Sequence, residues 1–245
     1  MGRCHSRLVH LCTGLAFLAL DMGYARAEAP KLIAFEVDPY VWVRDGKPAG
    51  ASVEIAAELA KAAGLDPTVT ILPSIRALKE LDAGNRILID LGRTAERDPK
   101  YIWIGEILSA ATSFVTTSPR PFIDTLDSAR AADSITVLSG TAASEFLKNN
   151  GFTNFEAVPY DILNARKLLG SRVTTWFTST VVAKRYWGAV GGDPDKLRIG
   201  SPVFRFPLFI AASKDVPVEI IGKMQDRLAQ MKASGEFDAI SARPD

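Results

Sequence analysis

The chain has 245 residues, with 29 basic and 28 acidic side chains, 2 cysteines and 2 histidines. So even a charge balance leaves no electrostatic footprint for nucleic acid. No internal repeat or low-complexity tract interrupts it.

The first residues read as a secretory signal. Arg3 and Arg7 precede an apolar run from Leu8 to Leu20, and Ala25-Arg26-Ala27 supplies the small-x-small pattern before a cleavage point. The run is too short to span a bilayer and is broken by His10 and Thr13. Cys12 lies inside it, preceded by Leu11, which does not fit a lipoprotein site. Residues 1–27 are therefore expected to be removed and the protein to reach the periplasm. Cys4, Cys12, His5 and His10 leave with the signal. The remaining chain has no thiol or imidazole, which excludes disulfides, Cys/His zinc sites, cysteine nucleophiles and a Ser-His-Asp triad. No metal or cofactor is expected. Loss of Arg3, Arg7, Arg26 and Asp21 leaves 26 basic and 27 acidic residues.

After the signal, strand and helix patterns alternate. Residues 31–37 read as a strand and 51–64 as a helix capped by Ser52 and ended by Gly64. A strand at 67–72, a helix from Ser74 to Gly84 and a strand at 86–91 complete a first unit, whose order implies a parallel, doubly wound sheet. A long β-type run at 107–118 ends in the turn chemistry of "PRPF". The second unit repeats the order: strand 134–140, helix from Thr141, strand 154–158, helix 161–170 capped by Asp161, strand 172–177, then a helix ending at Gly188. A strand at 207–213 leads into a helix near 216–233, with Ile220, Met224, Leu228 and Met231 as its apolar stripe.

These elements predict an α/β protein of two lobes: 28–107 with 208–245, and 112–203. Connections near 107–111 and 204–208 would act as a hinge. A cleft between lobes is a favoured site for a small molecule.

The ordered segments "AFEVDPYVWVRDGKPAGASVEIAAELAKAAG", "LPSIRAL", "GRTAERDPKYIWIGEI", "LSGTAASEFLKNN" and "PLFIAASKD…MKASGEFDAI" together resemble the type II periplasmic solute-binding proteins, in the amino-acid (family 3) branch serving ABC importers. The resemblance implies a two-lobe binding fold, a small-molecule ligand and an ABC permease in the inner membrane as partner. It implies no catalysis, and a monomer is expected. In that family an arginine in a Thr-x-Thr-x-Glu-Arg-like stretch forks onto the ligand's carboxylate. Arg97 takes that place here, and Gly92 stands where a hydroxyl residue is usual, keeping the amide alone. Tyr40 would pack on the ligand, and the helix start at Thr141 and Ala142 would offer amides. An acid that holds the ligand's ammonium is expected near Thr178 or Ser179, and neither is acidic.

The residues themselves support several of these roles. A guanidinium matches a carboxylate bidentately, and Arg97 follows a strand end, where open α/β sheets bind ligand. Arg93 either faces the cleft or anchors the loop. Arg76 sits at a strand-to-helix turn, as a ligand contact or a solvated helix residue. Thr141 and Ser179 begin helices, where free amides suit anions. Glu36 and Asp38, near Tyr40, read first as residues of a solvated loop; for a ligand that carries an amine, one of them is the alternative to the missing acid. Trp42 and Trp103 read as interlobe or core residues, and Trp176 as core. The expected ligand is a small polar solute bearing a carboxylate. The alternative is a periplasmic enzyme on the same scaffold, resembling cyclohexadienyl dehydratase, whose general acid would have to be a carboxyl of raised pKa. A sensor or accessory protein without a transporter has the same sequence features.

Overall fold

The computed structural model describes residues 28–242; the expected signal peptide lies outside them. The elements follow the alternation in the sequence. In the first lobe they are β1 (Lys31–Ala34), β2 (Trp42–Arg44), β3 (Lys47–Ala49), α1 (Ala51–Ala62), β4 (Val69–Ile71), α2 (Ser74–Ala83) and β5 (Arg86–Gly92). The long β6 (Ile102–Thr117) leads to the second lobe. There α3 (Leu126–Arg130), β7 (Ile135–Leu138), α4 (Ala142–Asn149), β8 (Phe155–Val158), α5 (Asp161–Leu169), β9 (Thr175–Ser179), α6 (Thr180–Ala189) and β10 (Leu197–Ile199) follow. β11 (Phe204–Ala212) returns to the first lobe, closed by α7 (Val218–Ser234) and α8 (Glu236–Ser241).

Each lobe contains the same parallel unit. β4-β1-β5 are adjacent and parallel in the first, and β8-β7-β9 in the second. The helices between them are the crossovers that parallel pairing requires. β5 then pairs antiparallel with β11, and β9 with β6. Because β6 and β11 pair from Phe204↔Thr112 to Ala212↔Ile102, the two expected sheets are one curled sheet of nine strands. The segments near 107–111 and 204–208 lie within this shared ladder.

Both faces are covered in each lobe. α1 and α7 pack on one side of the first, through Ile55, Leu59, Met224 and Leu228 among others, and Ala77 and Leu81 of α2 cover the opposite side. In the second lobe Ala143 and Leu147 of α4 cover one face, and residues of α5 and α6 the other. Trp176 is fully buried there, as expected. On α7 the buried stripe runs through Ile221, Met224, Leu228 and Met231, with Ile220 at its edge. Each such side chain contributes about 1.5–3 kcal/mol on burial.

Some local assignments differ from the sequence reading. α1 begins at Ala51 with Gly50 at the N-cap, so Ser52 lies within the first turn and its hydroxyl is directed elsewhere. α5 begins at Asp161 itself, after Tyr160, so that carboxyl is not a cap. The β2–β3 hairpin was not among the expected strands. Its turn, Asp45-Gly46 at φ 51° and 75°, carries the Asp-Gly hairpin signal.

Candidate functional site

The carboxyl ends of the parallel strands in both lobes point toward the same place, where ligands bind in open α/β sheets. Between the lobes they line a partly open cavity with about 80 Å³ accessible to the centres of water-sized molecules. One water needs roughly 10–15 Å³ of such space, so a solute of several heavy atoms fits. The first lobe contributes Phe35, Tyr40, Asp90, Gly92 and Arg97, and the second contributes Leu138, Thr141, Ala142, Asp161, Thr178 and Ser179. Phe206 and Ala110 add the shared strands. Most of the wall is apolar.

Six of the eight residues singled out from the sequence meet at this cavity: Tyr40, Gly92, Arg97, Thr141, Ala142 and Ser179. Arg76 and Arg93 do not. Arg76 is two-thirds exposed on α2 and lies 3.8 Å from Glu80, one turn along. Arg93 anchors its loop: its Nε donates to Asp98 at 2.6 Å, and its guanidinium lies 5.3 Å from the Trp103 and Phe209 rings. Trp42 carries Arg44 at 4.5 Å and Arg185 of the second lobe at 5.4 Å over its ring.

Arg97 is 4% exposed and its fork is occupied by the chain itself. Nη1 donates to the Gly92 carbonyl at 3.1 Å, and Nη2 donates to the Gly140 carbonyl at 2.9 Å and to Oε1 of Glu145. Thr94 donates to the other Glu145 oxygen at 3.0 Å. Glu145 belongs to α4, so this ion pair joins the two lobes. The close approach of α4 depends on Gly92, because a Cβ there would come within 2.7 Å of the Ala142 Cβ. Any side chain at this position would thus obstruct the approach of α4.

The helix starts behave as caps. Thr141 accepts from the Ser144 amide, with Ser144 returning the bond, and Ser179 accepts from the Val182 amide. Other contacts also join the lobes: Ser74 and Ser139 hydroxyls at 3.1 Å, and Arg185 Nε on Asp38 at 2.9 and 3.0 Å. Tyr186 donates to Glu36 at 3.4 Å, and burial raises the Glu36 pKa. Glu36 and Asp38 therefore serve the interlobe contact and do not line the cavity.

Two carboxyls that sequence reasoning did not place here do line it. Asp90 is 3% exposed, and its Oδ1 accepts from the Ser52 hydroxyl at 2.9 Å. Its Oδ2 has no hydrogen-bond partner among the described residues. Burial pushes its pKa up to about 7, with the Ser52 bond opposing. Asp90 stands in the left-handed region at φ 59°. The pairing explains why: Leu91↔Phe209 is followed by Leu88↔Ala211, so β5 carries one extra residue. Such a bulge re-aims a side chain, and here it places Asp90 on the cavity wall. Tyr40 lines the same cavity, and burial, then the Asp90 charge, raises its phenol pKa. Asp161 is also buried. Its Oδ1 accepts from Asn164 at 2.9 Å, and burial raises its pKa to about 6. The signal for Asp90 was present in "RILIDLG", where one acid interrupts an apolar strand.

A two-lobed α/β chain with a cavity between its lobes is the form of a periplasmic-type binding protein. The model of the bacterial extracellular solute-binding proteins, family 3, matches residues 32–243, and the chain belongs to that family. No curated protein sequence matches it. Solved structures share the fold. An ancestral arginine-binding protein bound to arginine superposes with a TM-score of 0.75 at 20% identity, covering 87% of this chain and 96% of that one. A histidine kinase sensor domain with similarity to periplasmic binding proteins gives 0.77 at 16%, covering 87% and 94%. The amino acid ABC transporter substrate-binding protein AbpA from Streptococcus pneumoniae, bound to L-arginine, gives 0.72 at 18%, covering 87% and 93%.

Proposed function

We propose that this protein captures a small solute between its lobes outside the cytoplasm and presents it to an ABC permease. The cavity walled from both lobes carries this conclusion, because a ligand there contacts both halves and stabilises their closed arrangement. The family and its ABC-transporter relatives support the transport role, and the sensor-domain relative supports the same capture step coupled to signalling. The lobes 28–107 with 208–245 and 112–203 would move about the shared strands, with monomeric protein docking on its partner.

The resemblance assigns a ligand carboxylate to Arg97. In the closed cavity that guanidinium already holds Glu145 and two carbonyls, so a ligand carboxylate reaches it by displacing Glu145. A thermal-shift screen of the exported chain against amino acids, amines, carboxylates and sugars tests the binding role, since a ligand of the folded state raises the melting temperature. No shift with any class at millimolar concentration would refute it.

A second reading has its own support. Buried Asp90 and Asp161, with raised pKa values on the wall of the interlobe cavity, have the chemistry of a general acid. Protonation of a ring hydroxyl by such an acid, with loss of water and of the ring carboxylate as carbon dioxide, would then aromatise a cyclohexadienyl substrate in the cavity. Incubation with prephenate or arogenate, followed by aromatic absorbance, separates the two: turnover would establish the enzyme.

A further inference from the structure

The structure assigns the ligand's chemical class: we propose a small organic amine with an apolar body and no carboxylate, its ammonium held by the free oxygen of Asp90. This rests on interlobe solute binding as proposed above and specifies the solute.

Four observations converge. The Asp90 carboxyl is buried on the cavity wall, with Oδ1 fixed by Ser52 and Oδ2 unpartnered among the described residues. A buried carboxylate is costly without a counter-charge, and the left-handed backbone at φ 59° adds strain that glycine would remove. The Ser52 bond offsets only part of these costs, whereas a cation in the cavity offsets the first directly. Second, Asp161 lines the same cavity from the opposite lobe and adds a second carboxyl to its wall. Third, the cationic side chain on the wall, Arg97, is neutralised by Glu145 across the cleft. The chain's own carboxylate thus occupies the arginine fork that a ligand acid would need. Fourth, Phe35, Tyr40, Phe177, Phe206 and Leu208 leave the remaining wall apolar, and an aromatic face favours a cation.

The amine should bind the ionised form of Asp90. The groups facing this carboxyl are Ser52 and Tyr40 beside it, with Arg97 and Asp161 elsewhere on the wall. Burial, which pushes Asp90 up to about 7, makes ionisation part of binding at lower pH, and Asp161 titrates in the same sense. Affinity should fall about tenfold per pH unit below 7 from Asp90 alone.

Calorimetry on the exported chain with matched pairs tests this: 3-methylbutylamine and leucine, 2-phenylethylamine and phenylalanine, cadaverine and lysine, agmatine and arginine. In at least one pair the amine should bind at least tenfold tighter than its carboxylated partner, and more weakly at pH 6 than at pH 8. Asp90→Asn, which retains shape and tolerates the left-handed backbone, should lose at least tenfold. Glu145→Gln should free Arg97 and raise the affinity of the carboxylated partner. Tighter binding of the carboxylated partners by the unaltered chain, or full amine affinity in Asp90→Asn, would overturn the assignment. So would a Glu145→Gln variant that gains no affinity for them. Binding of acids or sugars with no amine bound would overturn the ligand class and leave solute binding standing. Failure of every solute class would remove the binding role itself.

Discussion

Asp90→Asn provides a test of the cavity's electrostatics that needs no ligand. In the folded chain burial raises the Asp90 pKa from 3.8 to about 7, with the Ser52 hydroxyl opposing it. Because the folded value lies above the unfolded one, the folded chain retains a proton between these pH values that the unfolded chain has lost. Stability therefore falls as pH rises from about 4 to about 7, then levels off. A shift of roughly 3 units at about 1.36 kcal/mol each corresponds to about 4 kcal/mol. Asparagine has no such proton, so the variant lacks this part of the slope. Its own cost, an amide group without an acceptor in the cavity, is the same at every pH. Asp161 contributes a parallel slope to both proteins and cancels in the difference. Urea unfolding at intervals from pH 4 to pH 8, extrapolated to water, measures the effect. The variant's stability relative to the parent should rise by several kcal/mol across that range. A difference independent of pH would show that Asp90 ionises as easily folded as unfolded, and the account of a desolvated carboxyl awaiting a cation would fail.

Other substitutions examine the closed arrangement. Gly92→Ser introduces a hydroxyl but places a Cβ within 2.7 Å of Ala142 and 3.1 Å of Phe206. It should push α4 away, enlarge the radius of gyration in solution scattering and weaken ligand binding at least tenfold. Arg97→Ala leaves Glu145 without its guanidinium and two carbonyls without their donor. It should lower stability by about 1.5–3 kcal/mol in urea unfolding, because the Glu145 carboxylate left behind is partly exposed and keeps its Thr94 bond. Arg76→Ala and Arg93→Ala should leave ligand affinity within twofold by calorimetry, because neither residue lines the cavity. Arg185→Ala removes a half-exposed contact with Asp38 at the cleft rim. It should cost at most about 1 kcal/mol, and less at high salt.

Much of the fold was legible because each parallel unit has a strong local signature. The helix from Ser74 to Gly84 and the capped start at Thr141 follow from short-range chemistry. The continuous sheet did not, because pairing of β6 with β11 joins residues about a hundred positions apart. The site shows the same division. Thr141, Ser179 and Gly92 lie at element ends, and element ends are readable. Whether an arginine points into a cleft is not: Arg93 and Arg97 are four residues apart, yet one anchors a loop and the other spans the lobes. Glu145 was invisible for a similar reason, since its partner comes from the other lobe. Asp90 is intermediate. Its acid inside "RILIDLG" was visible as an anomaly, but its direction depends on a bulge defined by the facing strand β11.

Two apparent deficits and two unexpected acids then account for one another. Thr178 and Ser179 carry no acid, and the cavity's carboxyls come instead from Asp90 of the other lobe and Asp161 of their own. Gly92 lacks the hydroxyl that would help hold a ligand carboxylate, and its small size admits α4, which brings Glu145 onto Arg97. Each change alone would spoil an amino-acid site: a cleft acid without its partner position, or an arginine masked by the chain. Together they keep the charges balanced while exchanging what the ligand must provide. The anion is internal, and the cation is left for the solute.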